Sequence, residues 1–435
     1  MSLNIEAFHQ RRQRVLDRMG EGVMVIATAP ETVRNRDAHH PYRFDSYFYY
    51  LTGFTEPEAV LVLVAGAQPQ QLLFCREKNL EREIWDGFRH GPEAAREAFG
   101  FDAAHPIAEL DEQMPRLLEN SPALHYAIGH DPAWDGRVVG WLNAVRAKTR
   151  SGVQAPERLV DARGLLDEMR LFKDSFELEL MRRAADISAA AHIAAMRATR
   201  PGRHEYEIEA ELLYAFRRQG AEAPAYTSIV AGGANACVLH YVFNNQPLKA
   251  GDLLLIDAGA EYRGYAADIT RTFPVAGRFS AAQRDAYEIV LAAQAAAIAQ
   301  VAPGRPWQAP HEAAVKVLVR GMVDLGLLKG EVDGLIEGEA YKRFYMHRTG
   351  HWLGLDVHDA GEYKQAGDWR PLQPGMTLTV EPGLYIRPAD DVPEALWHIG
   401  IRIEDDVLVT EAGCELLTRG APKAVAEIEE VMRHD

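Results

Sequence analysis

One phrase occurs twice in this chain, and this internal repeat constrains the fold more than any other feature. Residues 247–259 read PLKAGDLLLIDAG, and residues 371–383 read PLQPGMTLTVEPG. In each copy a turn signal precedes a short apolar run, which predicts a buried strand. The first run ends in Asp257 and the second in Glu381. Burying an unpaired carboxylate is costly, so both acids need a cationic partner.

The repeat extends to the helices that precede these strands. The tripeptide PGR occurs twice, 102 residues apart, whereas the strand phrases lie 124 residues apart, so the second half carries 22 additional residues. Each PGR copy follows one long amphipathic stretch and precedes another. These four predicted helical stretches are 175–199, 204–219, 280–301 and 308–326. The pattern predicts two helix-helix-strand halves, and two related halves that face each other can build one site for two metal ions.

Length and patterning predict two domains. A chain of 435 residues is too long for one ordinary core. Short apolar runs alternate with polar helical patterns in the first third, which is typical of an α/β domain. We therefore expect an α/β domain over residues 1–165 and an α+β domain over residues 170–435, the latter containing the duplicated halves.

Charge and cysteine usage exclude several classes of partner. The net charge of −16 argues against nucleic acid or an anionic membrane surface, since both require a basic footprint. No apolar stretch approaches the ~18–20 residues of a membrane span. The N-terminus is charged and amphipathic, without the apolar core of a signal peptide. The three cysteines are scattered, which predicts reduced thiols and a cytoplasmic location.

Further acids follow the repeated strands. After Asp257 two glycines allow a turn, so Asp268 is expected on the returning strand of a hairpin. The alternation over 398–409 places Arg402 and Glu404 on the same face of a strand. Taken singly, each acid is more often a turn cap or an ion-pair partner than a ligand. Four carboxylates about 4 Å apart would repel strongly even at an effective dielectric constant near 20, and two divalent ions would balance their charge.

The inserted part of the second half contains the string HRTGHWLGLDVHD over residues 347–359. Its glycines disfavour a continuous helix and predict an irregular segment that leads into a strand, with His351 turned towards the acids. No H-E-x-x-H is present, which argues against a single-zinc site on a helix. An oxygen-rich, thiolate-free set of donors suits Mn²⁺, Co²⁺, Fe²⁺ or Zn²⁺, and the residues do not choose among these ions.

These residues, in this order, resemble the proline-peptidase branch of the pita-bread metallopeptidases, which includes methionine aminopeptidase, prolidase and aminopeptidase P. The resemblance covers nearly the whole chain, because residues 41–63 and 83–95 resemble the N-terminal domain of bacterial Xaa-Pro aminopeptidases. It implies that the C-terminal domain is a pita-bread fold, with duplicated helix-helix-strand halves around a curved antiparallel sheet. It also implies a homo-oligomer, either a dimer or a tetramer.

The resemblance further implies a catalytic site with two divalent metal ions per chain, Mn²⁺ being the first expectation and Co²⁺, Zn²⁺ and Fe²⁺ the others. The five implied ligands are Asp257, Asp268, His351, Glu381 and Glu404. A hydroxide bridging the two ions would attack the peptide bond, with Glu381 as the base that accepts its proton. The other implied catalytic residues are His358, His240 and Arg402. The implied substrate-binding residues are His347, Tyr385 and Tyr226.

The implied activity is hydrolysis of the first peptide bond of peptides with proline in second position. A prolidase, which cleaves Xaa-Pro dipeptides, would use the same site, and the residues do not exclude it. The same fold could also serve a non-catalytic peptide- or chromatin-binding module or a metal-free amidinohydrolase. Because none of the five ligand positions is altered, the sequence argues against these last two functions.

Overall fold

The computed structural model describes residues 4–433, and the chain divides into two compact units, Met1–Met169 and Arg170–Asp435. The helices of the first unit are α1 (Ile5–Met19), α2 (Ser46–Thr52), α3 (Leu80–Asp86), α4 (Gly91–Phe99), α5 (Leu110–Leu118) and α6 (Pro132–Arg146), and α7 (Arg163–Leu171) contains the division. Its strands are β1 (Gly22–Ala27), β2 (Val33–Asn35), β3 (Ala38–His39), β4 (Val60–Ala65), β5 (Gln70–Cys75), β6 (Ala103–Pro106), β7 (Ala123–Tyr126) and β8 (Arg158–Asp161).

The first unit is built on one mixed sheet with the strand order β6-β5-β4-β1-β7-β8. Strand β4 pairs antiparallel with both β1 and β5, whereas the outer pairs are parallel. The central strands read GVMVIA and VLVLVA, continuous apolar runs of the kind found where a strand is buried on both faces. The first unit is therefore the α/β domain that the alternating pattern predicts.

The second unit contains two helix pairs and several short sheets. Its helices are α8 (Ser175–Ala198), α9 (Glu205–Arg218), α10 (Ala281–Ile298), α11 (Ala309–Asp324), α12 (Val332–Glu337) and α13 (Val425–Val431). Its strands are β9 (Ala223–Pro224), β10 (Ile229–Gly232), β11 (Leu253–Asp257), β12 (Ala260–Tyr262), β13 (Tyr265–Ala266), β14 (Thr270–Pro274), β15 (Lys364–Gln365), β16 (Asp368–Trp369), β17 (Thr377–Val380), β18 (Gly383–Ile386), β19 (Ile399–Arg402), β20 (Asp405–Thr410) and β21 (Gly413–Leu416).

The two halves of this unit repeat the same plan, which confirms the duplicated fold. Helices α8 and α9 precede the antiparallel sheet β10-β11-β14, and α10 and α11 precede the antiparallel sheet β17-β20-β21. Each PGR turn is hydrogen-bonded to the PL phrase of its own half. Gly202 N donates to Leu248 O over 2.8 Å, and Gly304 N donates to Leu372 O over 2.8 Å. The matched sequence therefore encodes a matched backbone contact.

One of two local expectations needs correction. The segment 347–359 is irregular, as its glycines predict, and it leads into β15 of a hairpin of two-residue strands. Its backbone pairs with β17, since Leu353 N donates to Thr377 O over 3.1 Å and Thr379 N donates to His351 O over 2.9 Å. The expected returning strand after Asp257 is broken, because residues 267–269 lie between β13 and β14.

No helix in the described part of the chain is long and apolar enough to cross a membrane.

Candidate metal centre

A cavity of about 1100 Å³ in the second unit brings together nearly all the side chains that the sequence singles out. The predicted site residues that line it are Tyr226, His240, Asp257, Asp268, His347, His351, His358, Glu381, Arg402 and Glu404. Tyr385 does not line the cavity. It is buried behind the wall at 1% exposure, so the substrate-binding role implied for it lacks a direct path to a ligand.

Strand ends deliver the acids to this cavity. Asp257 is the last residue of β11, Glu381 directly follows β17, and Glu404 lies between β19 and β20. Asp268 occupies the break before β14, where its backbone N–H donates to Asp406 Oδ2 over 3.1 Å. The apolar runs bury the strands, and the chain turns a carboxylate inwards where each run stops. This arrangement explains how acids reach the interior of an otherwise apolar core.

Three of these side chains are close enough to share one cation. The ligating atoms of Asp268, His351 and Glu404 lie within 4.8 Å of one another. His351 Nδ1 donates to the carbonyl oxygen of Trp352 over 2.9 Å, which leaves Nε2 facing the acids. His351 Nε2 lies 3.5 Å from Asp268 Oδ2 and 3.7 Å from Glu381 Oε1. A histidine fixed through its other nitrogen is typical of metal ligation, so the donor set fits a divalent cation.

Arg402 and Tyr226 hold the remaining acid. Arg402 Nη2 donates to Asp257 Oδ2 over 2.6 Å, Nη1 donates to the Tyr385 hydroxyl over 3.0 Å, and Nε donates to Thr270 Oγ1 over 3.1 Å. The Tyr226 hydroxyl lies 2.5 Å from Asp257 Oδ1 and also within hydrogen-bonding distance of Asp268 Oδ1. Its one proton therefore links two acids that would otherwise repel each other.

The pKa values of the metal-free site reflect this crowding. Burial and the neighbouring acids raise the pKa of Glu381 to about 7, against the opposing charges of His351 and Arg402, and raise that of Glu404 well above its ordinary range. Burial likewise raises the pKa of Asp257, although Arg402 opposes the shift. Burial acts against the charge on His351, but hydrogen bonding to Asp268 raises the His351 pKa to about 9. Protons therefore occupy the site in the absence of a stronger cation.

The imidazole of His347 is fully engaged. Its Nδ1 donates to the carbonyl oxygen of Arg348 over 2.7 Å, so its Nε2 accepts from the Tyr385 hydroxyl over 2.8 Å. Burial lowers the pKa of His347 to about 3, so the ring is neutral at physiological pH. Tyr385 thus links His347 to Arg402, and its position between these two side chains supports a role in orienting them.

Sequence reasoning missed an aromatic wall of the same cavity. Trp307, Tyr363 and Trp369 line it, and the Trp307 ring lies 4.0 Å from the Trp352 ring and 4.8 Å from the Tyr363 ring. Tyr363 and Trp369 belong to the segment that follows His358. The pattern of acids and histidines leaves the role of this segment open. Aromatic residues close behind a predicted ligand segment are the signal that would have indicated this wall.

Acids and one imidazole at the strand ends of a duplicated α+β unit define a metal-dependent hydrolase. The description "Metallopeptidase family M24" matches residues 179–411, and "Aminopeptidase P, N-terminal domain" matches residues 8–125. The chain belongs to metallopeptidase family M24, in the group that carries an aminopeptidase P N-terminal domain.

The known relatives below align with 94% or more of this chain. The chain is 46% identical to the Xaa-Pro aminopeptidase of Haemophilus influenzae, over 98% of this chain and 97% of the relative. It is 33% identical to human Xaa-Pro aminopeptidase 3, over 94% of this chain and 80% of the relative. The structure of aminopeptidase PepP from Pseudomonas aeruginosa is 52% identical with a TM-score of 0.97, covering 99% of this chain and 98% of that one. Zinc-substituted Escherichia coli aminopeptidase P in complex with product is 45% identical with a TM-score of 0.97, covering 99% of both chains.

Proposed function

We propose that this peptidase removes the first residue of peptides with proline in second position, using two divalent metal ions. The observation that carries the proposal is the convergence of four acids and His351 at the strand ends of both halves. Their proximity in a buried site is stable only when their negative charge is balanced. The relatives named Xaa-Pro aminopeptidase, 46% identical over nearly the whole chain, support the choice of substrate.

The residues that would hold the ions are those that the sequence singles out. Asp257, Asp268, His351, Glu381 and Glu404 would together hold the two ions. When bound, the ions would lower the pKa of a shared water from ~16 towards ~7 and so supply hydroxide at neutral pH. Mn²⁺ is our first candidate, and Co²⁺, Zn²⁺ and Fe²⁺ fit the same oxygen-rich donor set.

Glu381 would accept a proton from the attacking water and pass it to the leaving nitrogen. Glu381 Oε1 lies 3.7 Å from His351 Nε2, so this carboxylate lies beside the residues that would hold the ions and the attacking water. Its backbone is fixed, because Glu381 N donates to the Thr349 carbonyl oxygen over 2.8 Å, and Thr379 Oγ1 lies 3.4 Å from Glu381 Oε1.

His358 and His240 would bind the scissile carbonyl. Both line the cavity, and the His358 ring lies 4.2 Å from the His351 ring. Burial, followed by the charge of His351, lowers the His358 pKa. A neutral imidazole can donate its one N–H to the carbonyl oxygen and strengthen that bond as negative charge develops. Arg402 would position Asp257 through its 2.6 Å hydrogen bond.

The aromatic wall would receive the substrate. Trp307, Tyr363 and Trp369 offer flat apolar faces for a proline ring, with His347 and Tyr226 on the same cavity surface. A cavity of about 1100 Å³ lies at the upper end of the usual range for small-molecule sites. This volume favours peptides that continue beyond the proline, and therefore an aminopeptidase over a prolidase.

We also propose a cytoplasmic homo-oligomer, either a dimer or a tetramer. Helix α3 and the loop after it expose four large apolar side chains: Leu80, Ile84, Trp85 and Phe88, at 71%, 82%, 82% and 66%. A contiguous exposed apolar cluster typically marks an interaction site, and a second copy of the chain is the partner we propose. The three cysteines are free thiols, which supports a reducing compartment.

The deciding experiment measures hydrolysis of Ala-Pro and Ala-Pro-Ala with Mn²⁺, with and without a chelator. We expect chelator-sensitive release of alanine from the tripeptide and little cleavage of the dipeptide. Cleavage of the dipeptide alone would identify a prolidase. Activity on neither peptide would favour a non-catalytic binding module. Glu381→Ala serves as the matched inactive variant: near-normal kcat with Mn²⁺ would refute the assigned base.

A further inference from the structure

One wall of the cavity is formed by residues 238–246, which have no helical or strand structure. Leu239, His240 and Val242 of this segment line the cavity. In the described part of the chain, no group forms a hydrogen bond with the His240 imidazole. The position of that ring therefore depends on how firmly the 238–246 backbone is held.

Two buried polar side chains hold this backbone. Asn244, within the segment, accepts from Val230 N over 3.0 Å and donates to Ser228 O over 2.9 Å, and Glu205 binds the segment from α9.

Glu205 is the first residue of α9 and is 0% exposed. Its Oε1 accepts from Gly232 N over 2.8 Å and from Asn235 Nδ2 over 2.9 Å. Its Oε2 accepts from the Tyr241 hydroxyl over 2.8 Å and from Gln246 N over 2.9 Å. One carboxylate thus joins the 232–235 turn to Tyr241 and Gln246 of the segment that carries His240.

These bonds use the whole acceptor capacity of the group. An ionised carboxylate has about four lone-pair sites, and four donors occupy them. Among the residues that the structure describes, no lysine or arginine nitrogen lies within 4.0 Å of Glu205. Neutral donors and the amino end of α9 therefore stabilise the charge. A glutamine of the same shape would present N–H groups to Gln246 N, which can only donate.

The position of Glu205 in the first half has a counterpart in the second half, where a different residue has a different role. Glu205 is the fifth residue of PGRHE, and the fifth residue of the matching PGRPW is Trp307. Trp307 lines the cavity directly and packs against Trp352. Glu205 is the first residue of α9, whereas Trp307 lies two residues before α11, so the repeat places a cavity-wall residue in one half and a residue that holds a wall segment in the other.

We propose that Glu205 is a positioning residue for the reaction, holding the 238–246 segment so that His240 faces the scissile carbonyl. This inference rests on the proposed function and on the role of His240 in it. Glu205 does not line the cavity, and of the three segment side chains that do, only His240 carries a polar group, so the effect of Glu205 on kcat should pass through His240.

The test is a double-mutant cycle in the full, Mn²⁺-loaded chain, with cleavage of Ala-Pro-Ala as the assay. We expect Glu205→Gln to lower kcat by about tenfold to a hundredfold, because a small displacement of a catalytic group is this costly. In the His240→Ala background the same change should have less than about a twofold further effect. Glu177→Gln is the matched control. Glu177 is 1% exposed, lies in the first turn of α8, and accepts from the Tyr265 hydroxyl over 3.0 Å, and its variant should retain wild-type kcat.

Wild-type kcat in a folded Glu205→Gln protein, or losses that multiply independently in the double variant, would overturn the inference. If Glu205→Gln does not fold, Tyr241→Phe decides instead, because it removes one donor and leaves the carboxylate. We expect Tyr241→Phe to lower kcat several-fold, and this loss of kcat should disappear in the His240→Ala background. A loss of kcat that persists there would refute the proposal. Failure of the proposed function is distinguishable, since the wild-type chain would then show no chelator-sensitive cleavage.

Discussion

Arg402 is the residue that connects the acids to the strands behind them. It is 4% exposed and donates to Asp257, Thr270 and Tyr385 from three different nitrogens. The planar guanidinium spans these three partners at once, whereas a lysine ammonium is a single point charge. The geometry of the acids therefore depends on the shape of this side chain as well as on its charge.

We predict that Arg402→Lys lowers activity by about tenfold to a hundredfold, the usual effect of removing a group that orients metal ligands. Steady-state kinetics at saturating Mn²⁺, together with a measured metal affinity, would check this. Arg343→Lys is the control, because the exposed Arg343 pairs with Asp391, lies over the Phe344 ring and is outside the cavity lining. Equal activity of the two variants would contradict the role assigned to Arg402.

His351 and Glu381 predict how metal binding depends on pH. Their pKa values in the metal-free chain are about 9 and about 7, so at pH 7 His351 carries a proton that a metal must displace. Affinity should therefore fall as pH falls, by about tenfold per pH unit for each proton displaced, and more steeply below pH 7. Calorimetric titration with Mn²⁺ between pH 6 and 8 in buffers of different ionisation enthalpy would count the protons. An affinity independent of pH would contradict the prediction.

At the scale of elements, strand β19 approaches the turn at residues 233–237 without room for a side chain. A Cβ on Gly400 would lie 2.4 Å from the carbonyl carbon and oxygen of Ala236. These are backbone atoms and cannot rotate away. The contact fixes the strand that ends in Arg402 against the turn that precedes the 238–246 segment, and so joins two walls of the cavity.

We predict that Gly400→Ala destabilises the fold by about 1–3 kcal/mol or more, the usual cost of overpacking, and lowers activity. Thermal unfolding monitored by circular dichroism would measure it. Gly251→Ala is the control, because a Cβ there meets nothing within 4 Å. A melting temperature for Gly400→Ala that matches the control would show that the turn can move.

The sequence predicts the elements that local pattern determines. Four amphipathic stretches become α8, α9, α10 and α11, and the apolar run before Asp257 becomes β11. The acids fall at strand ends because apolar runs stop there, so their convergence follows once the repeat is recognised. Helical period and strand burial are set by residues close together in the sequence, and duplication is visible as a repeated phrase. All three can therefore be predicted from the sequence alone.

The remaining features depend on contacts between distant segments. Trp307 and Trp369 line one cavity, although they lie 62 positions apart and outside the repeated PGR and PL phrases. At the break that carries Asp268, a Cβ on Gly259 would lie 1.6 Å from Ala267 O, a close approach between segments that helical or strand period alone does not reveal. Tertiary packing, and not local preference, decides these positions.

At the scale of the whole molecule, helix α3 stands out because contacts within its own unit do not explain why it folds. It has no buried residue, and an isolated helix of seven residues is marginal in water. Its apolar side chains gain free energy only when another surface covers them. A second copy of the chain is always present in solution and could cover these side chains. This is the physical basis for the homo-oligomer proposed above.

We therefore predict that the chain is a dimer or tetramer at micromolar concentration and that Ile84→Glu shifts it towards monomer. Ile84 is 82% exposed, so the substitution should cost little in the folded monomer while placing a charge in the contact. Sedimentation velocity over a concentration series would measure the shift. Val139→Glu is the matched control, since Val139 is a singly exposed apolar residue at 50% in α6. A wild-type monomer, or an Ile84→Glu protein that assembles like the control, would mean that α3 does not mediate assembly.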